Sequence, residues 1–251
     1  MKKILKIFAF ISIQFFLVSQ NGIARDISMV TVNWEPYYGD SLIDKGVISD
    51  IVQTAFKRAG HSSSIKFIPW KRALVKVTRG ESDVLMGAYY TKERDKKYYT
   101  SDSIYSINVR LVSKKSLGVS KFSRLEDLKP YSIGVTRGFV TSEDFDNASF
   151  LNKKEAGTTL KSVKKLIGDR VQMVVMAEGI FNFEFMKVGK DKRDNYQFLD
   201  PILTTNELVL LGSKKNPQNK KLIDDFNKEL SLMRKDGAYR EILMKHGFAS
   251  K

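Results

Sequence analysis

Apolar and polar positions alternate along the chain in a way that predicts strands and helices in turn. SMVTV (residues 28–32) predicts a first strand, and apolar residues spaced by three and four then predict an amphipathic helix that ends at Gly60. SIKFI predicts a second strand, a helix ending at Gly80 follows, and residues 84–86 form a short buried strand. This order favours a parallel sheet flanked by helices.

The same order of elements returns further along the chain. YSIGV (131–135) predicts a strand that turns near Gly138, and a helix is expected to start near Thr141 or Ser142. Thr158 or Thr159 caps another predicted helix, VQMVVM (171–176) predicts a strand, and residues 180–188 predict a helix. The chain therefore contains two α/β halves.

Two similar segments are candidates for the connections between these halves. NVRLVSKK (108–115) and ELVLLGSKK (207–215) are both apolar strands that end in Ser-Lys-Lys. An amphipathic helix (222–233) and a short helix after Gly237 follow the second segment. If both strands cross over, the C-terminal helices return to the first half. We therefore predict lobe 1 from residues 25–109 and 208–251, lobe 2 from residues 110–207, two hinge strands, and a ligand cleft between the lobes.

Residues 1–24 have the pattern of a secretory signal peptide. Lysines at positions 2, 3 and 6 precede an apolar run (7–18), and Gly22 and Ala24 occupy the −3 and −1 positions of a cleavage site. A membrane anchor needs about 20 apolar residues, more than this run provides. With no cysteine, the chain lacks a disulfide framework and a lipid-attachment site. We expect export to the periplasm, with the mature chain starting near Arg25.

Charge changes this interpretation little. Removing the three leader lysines lowers the formal net charge from +15 to +12. A basic chain can indicate a nucleic-acid partner, but these lysines are scattered over predicted loops and solvated faces. We therefore expect no nucleic-acid partner and only a mild preference for anionic ligands or surfaces.

Several phrases, taken in order, resemble bacterial extracellular solute-binding proteins of family 3. The resemblance covers nearly all of the mature chain and rests on NWEPYY, IPWKRAL, GESDVLMGAYYTKER, KKYYTSDSIY, LEDLKPYSIGVTRG, DRVQMVVMAEG and DGAYREILMKHGF. It implies a two-lobed periplasmic binding protein of type II, the Venus-flytrap fold. The best-known members of the family bind polar amino acids for ABC importers.

GAYYTKER (87–94) is the phrase from which the resemblance implies the main ligand contact. In this family the arginine of Thr-x-x-Arg holds a ligand carboxylate, which here implies a role for Arg94 beside Thr91. A guanidinium offers a bidentate fork that matches a carboxylate. The phrase also follows a strand, where ligands of α/β sheets bind. The alternative is a surface arginine paired with Glu93 or Asp95.

The resemblance implies further contacts with less force. Tyr89 stands where relatives place a small hydroxyl residue, Tyr37 matches a ring that packs on the ligand, and Trp70 matches an apolar wall residue. Trp34 and Arg72 are weaker candidates. Each of the aromatic residues could equally be ordinary core packing.

The second half departs from the amino-acid binders at two places. Relatives follow the turn glycine, here Gly138, with hydroxyl residues, whereas this chain has Phe139 and Val140. Relatives end the later strand with an aspartate that pairs with the α-ammonium, whereas this chain has Ala177. Glu178, one residue on, is the candidate to replace that aspartate. Backbone amides at the helix start after Gly138 remain a candidate anion site.

Three functions remain open at this point. The first is a binding protein that closes on a small carboxylate-bearing solute, a polar amino acid or relative, and delivers it to the permease of an ABC importer. The second is an enzyme similar to cyclohexadienyl dehydratases, for which only Glu35 and Glu178 are obvious acid/base candidates. The third is a sensory module that presents its closed form to a membrane receptor. We expect the first, acting as a monomer, without catalysis, cofactor or metal.

Overall fold

The computed structural model describes residues 24–137, 139 and 141–248. The predicted signal peptide lies outside the described residues except for Ala24, and so does the candidate ligand contact Gly138. None of the helices among the described residues has the length and hydropathy needed to cross a membrane.

Lobe 1 is built on three parallel strands in the order β2-β1-β3. Helices alternate with these strands, and a short helix and strand follow them; the elements in chain order are β1 (Asp26–Thr31), α1 (Val47–Arg58), β2 (Ser62–Phe67), α2 (Trp70–Arg79), β3 (Val84–Tyr89), α3 (Lys92–Lys97) and β4 (Tyr98–Thr100). The predicted glycine end signal of α2 is confirmed, since Gly80 has left-handed φ and ψ angles at the C-cap.

Lobe 2 repeats the arrangement on a second group of parallel strands, in the order β8-β6-β7. Its elements in chain order are β6 (Ser132–Thr136), α4 (Glu143–Asn147), β7 (Asn152–Ala156), α5 (Thr159–Ile167), β8 (Met173–Ala177), α6 (Glu178–Val188) and β9 (Tyr196–Phe198). Ser142 and Thr158 cap α4 and α5 through hydroxyls that accept from backbone N–H groups, as the sequence predicts.

Two long strands connect the lobes: β5 (Tyr105–Lys114) and β10 (Thr204–Ser213). The first half of β5 pairs antiparallel with the first half of β10, between residues 105–109 and 204–208. Beyond this shared segment β5 joins β8 of lobe 2, and β10 joins β3 and β4 of lobe 1. This topology agrees with the two predicted hinge strands, and the domain boundaries stay a prediction.

The chain returns to lobe 1 after β10 through two helices, α7 (Gln218–Asp236) and α8 (Ala238–Lys245). Both pack against α1. The contact with α8 includes a charged tie, because Asp50 of α1 accepts from Lys245 at 2.8 Å and lies 3.0 Å from a ring nitrogen of His246. Lobe 1 is therefore assembled from both ends of the described chain.

The structure also contains elements that the apolar pattern did not predict. These are α3, β4, β7 and β9, all short, polar or only partly buried. The three strands pair with neighbouring strands, and α3 begins at the Thr91 N-cap. None of the four has an amphipathic repeat, so apolar periodicity gives little signal for them.

Candidate ligand-binding cleft

Residues of both lobes surround two adjoining cavities, which together we call the cleft. The enclosed cavity has a volume of about 150 Å³ and the more open one about 430 Å³. Trp34, Tyr89 and Phe139 line both of them, so the two cavities adjoin at these side chains. Trp34 and Tyr89 come from lobe 1 and Phe139 from lobe 2, which places the cleft between the lobes.

The carboxyl end of β3 shows why a glycine precedes the tyrosine pair in GAYYTKER. Gly87 has φ of 73°, and the ring of Tyr38 packs so closely that a Cβ at Gly87 would lie 2.7 Å from it. The Tyr38 hydroxyl donates to the Gly87 carbonyl at 2.9 Å. Only glycine accepts both constraints without strain. The strand thereby reaches the cleft edge, with Tyr89 as its last residue.

Arg94 is held at this edge by the short helix α3. Thr91 is the N-cap of that helix, and its hydroxyl accepts from the Arg94 backbone N–H at 3.2 Å. The Arg94 guanidinium donates to the Tyr89 carbonyl and lies 5.7 Å from the centre of the Trp70 ring. Burial lowers the pKa of Arg94 from its ordinary value. The chain therefore places a partly desolvated cation in the open cavity.

No carboxylate among the described residues forms an ion pair with Arg94. The alternative partners Glu93 and Asp95 are exposed on the outside of α3. A partly buried guanidinium without an acidic partner is costly unless an anion binds it. This geometry favours the interpretation of Arg94 as a ligand contact.

Aromatic side chains of lobe 1 form the walls around Arg94. Trp34, Trp70 and Tyr89 all line the open cavity, and Trp34 meets Tyr89 edge to face at 5.7 Å between ring centroids. The indole N–H of Trp34 is buried without a hydrogen-bond partner among the described residues. Burial raises the pKa of the Tyr89 phenol, which keeps it neutral as a hydrogen-bonding group.

Tyr37 has a different position from the one expected for a ring that packs on the ligand. It is 3% exposed, lines neither cavity, and packs on Trp34 at 4.9 Å between ring centroids. Its hydroxyl reaches across to lobe 2 and lies close to Gly179, where a Cβ would be 2.6 Å from the hydroxyl oxygen. Tyr37 therefore bridges the lobes beside the cleft.

Lobe 2 contributes an apolar floor and basic side chains that already have hydrogen-bond partners. Val135, Val175 and Ala177 line the enclosed cavity. Arg137 donates to Glu155 at 3.0 Å, and Lys153 donates to the backbone carbonyl oxygens of Phe145 and Asp146. Phe139 is 50% exposed and lines both cavities.

The remaining predicted contacts lie outside the lining of the two cavities. Glu178 accepts from Arg110 of β5 at 3.1 Å, so its carboxylate is engaged within the protein. Arg72 is exposed in the first turn of α2. Thr91 acts through the cap of α3 and positions Arg94.

Sequence reasoning missed the parts of the cleft that depend on contacts between distant segments. The sequence predicts for Phe139 only that it replaces the hydroxyl residue of relatives. A large ring directly after a strand and turn is nevertheless a signal for a residue of the cavity wall. Val109 and Gly179 carry no local signal, because each reaches the cleft region only through the crossing of β5 and the docking of α6.

Comparisons with known proteins identify the family. The model of bacterial extracellular solute-binding proteins, family 3, matches residues 30–249. The arginine-binding extracellular protein ArtP of Bacillus subtilis is 25% identical over 239 residues, which is 90% of this chain and 88% of that protein.

Solved structures support the fold independently. A substrate-binding protein of an ABC uptake transporter from Streptococcus pneumoniae, with bound histidine, superposes with a TM-score of 0.69 at 21% identity, covering 90% of this chain and 95% of the other. A histidine kinase sensor domain similar to periplasmic binding proteins gives 0.70 at 15% identity, covering 88% and 96%. These likenesses confirm the two-lobed periplasmic binding fold, and the chain belongs to the bacterial extracellular solute-binding proteins of family 3.

Proposed function

We propose that this protein is a periplasmic solute-binding protein that closes on a small carboxylate-bearing solute and delivers it to the permease of an ABC importer. The observation that carries the proposal is Arg94, a partly buried cation in the cleft with no acidic partner among the described residues. A bidentate guanidinium–carboxylate pair in such a site is strong and directional.

The lobes supply the means of closure. Among the described residues only β5 and β10 run from one lobe to the other, and Trp34 and Tyr89 of lobe 1 line the same cavities as Phe139 of lobe 2. A ligand that contacts both sides stabilises the closed form, because it binds that form better than an open one. The closed form is the species that we expect a permease to recognise.

Binding fits the cleft better than catalysis. The two acid/base candidates of the dehydratase alternative do not line the cavities, and one of them, Glu178, is engaged by Arg110. A general acid or base must reach the reacting group within hydrogen-bonding distance. We therefore infer a binding function without a catalytic step.

Export is part of this proposal. The signal-peptide pattern of residues 1–24 supports it, and Arg25, the first residue after that segment, is already part of the folded lobe through an ion pair with Asp83 at 2.8 Å. Mass spectrometry of the protein from the periplasmic fraction should give a chain that begins near Arg25. A full-length chain confined to the membrane fraction would contradict this expectation.

A ligand screen tests the binding function directly. Polar amino acids, among them arginine and histidine, and small carboxylates without an amino group would be added in a thermal-shift assay, followed by calorimetry. A ligand at about 100 times its dissociation constant adds about 2.7 kcal/mol of stability. If one bound ligand per chain raises the melting temperature, the proposal stands; if no carboxylate does, it fails.

Import requires a second measurement. Uptake of the labelled ligand should drop in cells that lack the gene and return when the gene is restored. Unchanged uptake together with confirmed binding would favour a sensory role instead.

A further inference from the structure

The charges that line the cleft favour an anionic ligand over a zwitterionic one. Among the described lining residues, three are basic (Arg94, Arg137 and Lys153) and two are acidic (Asp146 and Glu155). Both acids are engaged: Glu155 accepts from Arg137 at 3.0 Å, and Asp146 accepts from the Thr141 backbone N–H at 2.9 Å. Lys153 is held by two backbone carbonyl oxygens, and Arg94 is the partly desolvated cation that the open cavity offers to an anion.

An α-ammonium beside a carboxylate held by Arg94 would find no acidic residue among the described lining of the open cavity. At the end of β8 the cavity wall is Ala177, a buried methyl group with 4% exposure. The next residue, Glu178, is held by Arg110 at 3.1 Å and is not part of the lining. Transferring an ammonium from water to such a site without an unpaired acceptor of opposite charge is unfavourable.

The walls indicate what the rest of the ligand should be. Trp34 and Trp70 stand on the lobe 1 side of the open cavity, and Phe139 closes it from lobe 2. The central carbon of the Arg94 guanidinium lies over the Trp70 ring, 5.7 Å from its centre, and its Nη1 donates to the Tyr89 carbonyl. The other N–H groups remain available to a carboxylate, while the rings receive a flat apolar body.

We infer that the cleft selects carboxylates that carry an apolar, preferably aromatic body and no α-ammonium. This inference rests on the proposed function and narrows it to a ligand class. It also rejects the expectation that Glu178 replaces the missing aspartate and restores amino-acid binding.

Matched ligand pairs test the selection. Each pair differs only by the amino group: 3-phenylpropanoate against L-phenylalanine, 4-methylpentanoate against L-leucine, and 5-guanidinopentanoate against L-arginine. Calorimetry at neutral pH should show that the member without the amino group binds at least about tenfold tighter in each pair that binds. The phenyl compound should be the tightest of the three. Equal or tighter binding of L-phenylalanine or L-arginine would overturn the inference.

Substitutions at positions 177 and 178 identify the cause of the preference. Ala177→Asp adds a carboxylate to the cavity wall and should shift the preference of the phenyl pair toward L-phenylalanine by at least about tenfold. Ala177→Asn has nearly the same size without the charge and should not. Glu178→Gln should leave the preference unchanged, because Glu178 is held by Arg110. A loss of amino-acid binding confined to Glu178→Gln would contradict the inference.

The outcomes also separate this inference from the proposed function. If L-phenylalanine or L-arginine binds tightly and Arg94→Ala abolishes that binding, carboxylate binding stands and the selection falls. If no member of any pair binds, the selection falls, and the ligand screen decides the proposed function. Melting curves show which variants are folded, and if Ala177→Asp is not, the wild-type pairs and Glu178→Gln decide.

Discussion

On the lobe 1 side the cleft presents Arg94 among aromatic rings, whereas on the lobe 2 side it presents an apolar floor, the ion pair of Arg137 with Glu155, and Lys153 held by backbone carbonyl oxygens. The carboxyl ends of parallel strands lead to the cleft in both lobes, so the difference does not come from the fold. It comes from whether the loop charges are satisfied internally. Lobe 1 keeps the Arg94 guanidinium without an acidic partner and available to a ligand, and lobe 2 is suited to covering the ligand that lobe 1 has bound.

The largest expected effect on ligand affinity comes from removing the Arg94 guanidinium. Arg94→Ala would leave a ligand carboxylate buried without its partner, at a cost of about 3–5 kcal/mol. The affinity should fall by two to three decades or more, since each 1.4 kcal/mol or so is tenfold. Calorimetry with the ligand found in the screen measures this loss, and the melting temperature without ligand should stay near that of the wild type.

Arg137→Ala is the matched control on the other lobe. Arg137 also lines the cleft, but it is paired with Glu155 and exposed. Its loss should change affinity by less than about fivefold, because exposed ion pairs contribute about 0–1 kcal/mol. Equal losses in the two variants would abolish the proposed distinction between the lobes.

A smaller effect is expected where the lobes touch beside the cleft. A methyl group at Gly179 would lie 2.6 Å from the Tyr37 hydroxyl oxygen. Gly179→Ala should therefore hinder closure and weaken ligand binding by roughly tenfold, in line with about 1–3 kcal/mol for overpacking. Gly157→Ala serves as the control, because a Cβ there would meet no atom within 4 Å.

A substitution at Tyr37, which contacts Gly179, should rescue the affinity of the Gly179→Ala variant. Tyr37→Phe removes the oxygen that the added methyl would meet, so the double variant should regain part of the affinity lost in Gly179→Ala. Small-angle scattering with and without ligand reports closure independently. If the Gly179→Ala variant closes fully with ligand and its affinity is unchanged, the contact between Tyr37 and Gly179 does not control closure of the lobes.

Much of this fold follows from local sequence patterns, but the long-range contacts around the cleft do not. Apolar periodicity and glycine end signals predict α1 and α2, and a short apolar run predicts β3. Arg94 is predicted from the resemblance of its phrase to the family, together with its place just after a strand. The engagement of Glu178 by Arg110 and the reach of Tyr37 to Gly179 join segments far apart in sequence. No local pattern specifies such pairs, because they depend on how β5 crosses and how α6 docks.

Tryptophan emission gives a further, smaller test of the lobe 1 wall. Trp70 lines the open cavity and lies over Arg94, whereas Trp34 is packed among Tyr37, Tyr38 and Tyr89. Ligand binding should change the emission, and Trp70→Phe should remove much of that change. The affinity should fall by only about three- to tenfold, since an aromatic wall remains. Binding seen by calorimetry with unmoved wild-type emission would contradict the placement of both residues.

The smallest effect is expected far from the cleft, in the tie between α1 and α8 that holds the two parts of lobe 1 together. Burial would raise the pKa of Asp50, but hydrogen bonds from Lys245 and His246 outweigh it and lower that pKa. The tie therefore contributes stability above the ordinary pKa of aspartate, about 3.9, and loses it as pH falls through the lower folded value. Asp50→Asn should lower the free energy of unfolding by about 1 kcal/mol at neutral pH. In urea titrations this difference should shrink as the pH falls below about 4, while ligand affinity at neutral pH stays unchanged. A difference that persists undiminished in acid would mean that packing of Asp50, and not its charge, joins the two parts of the lobe.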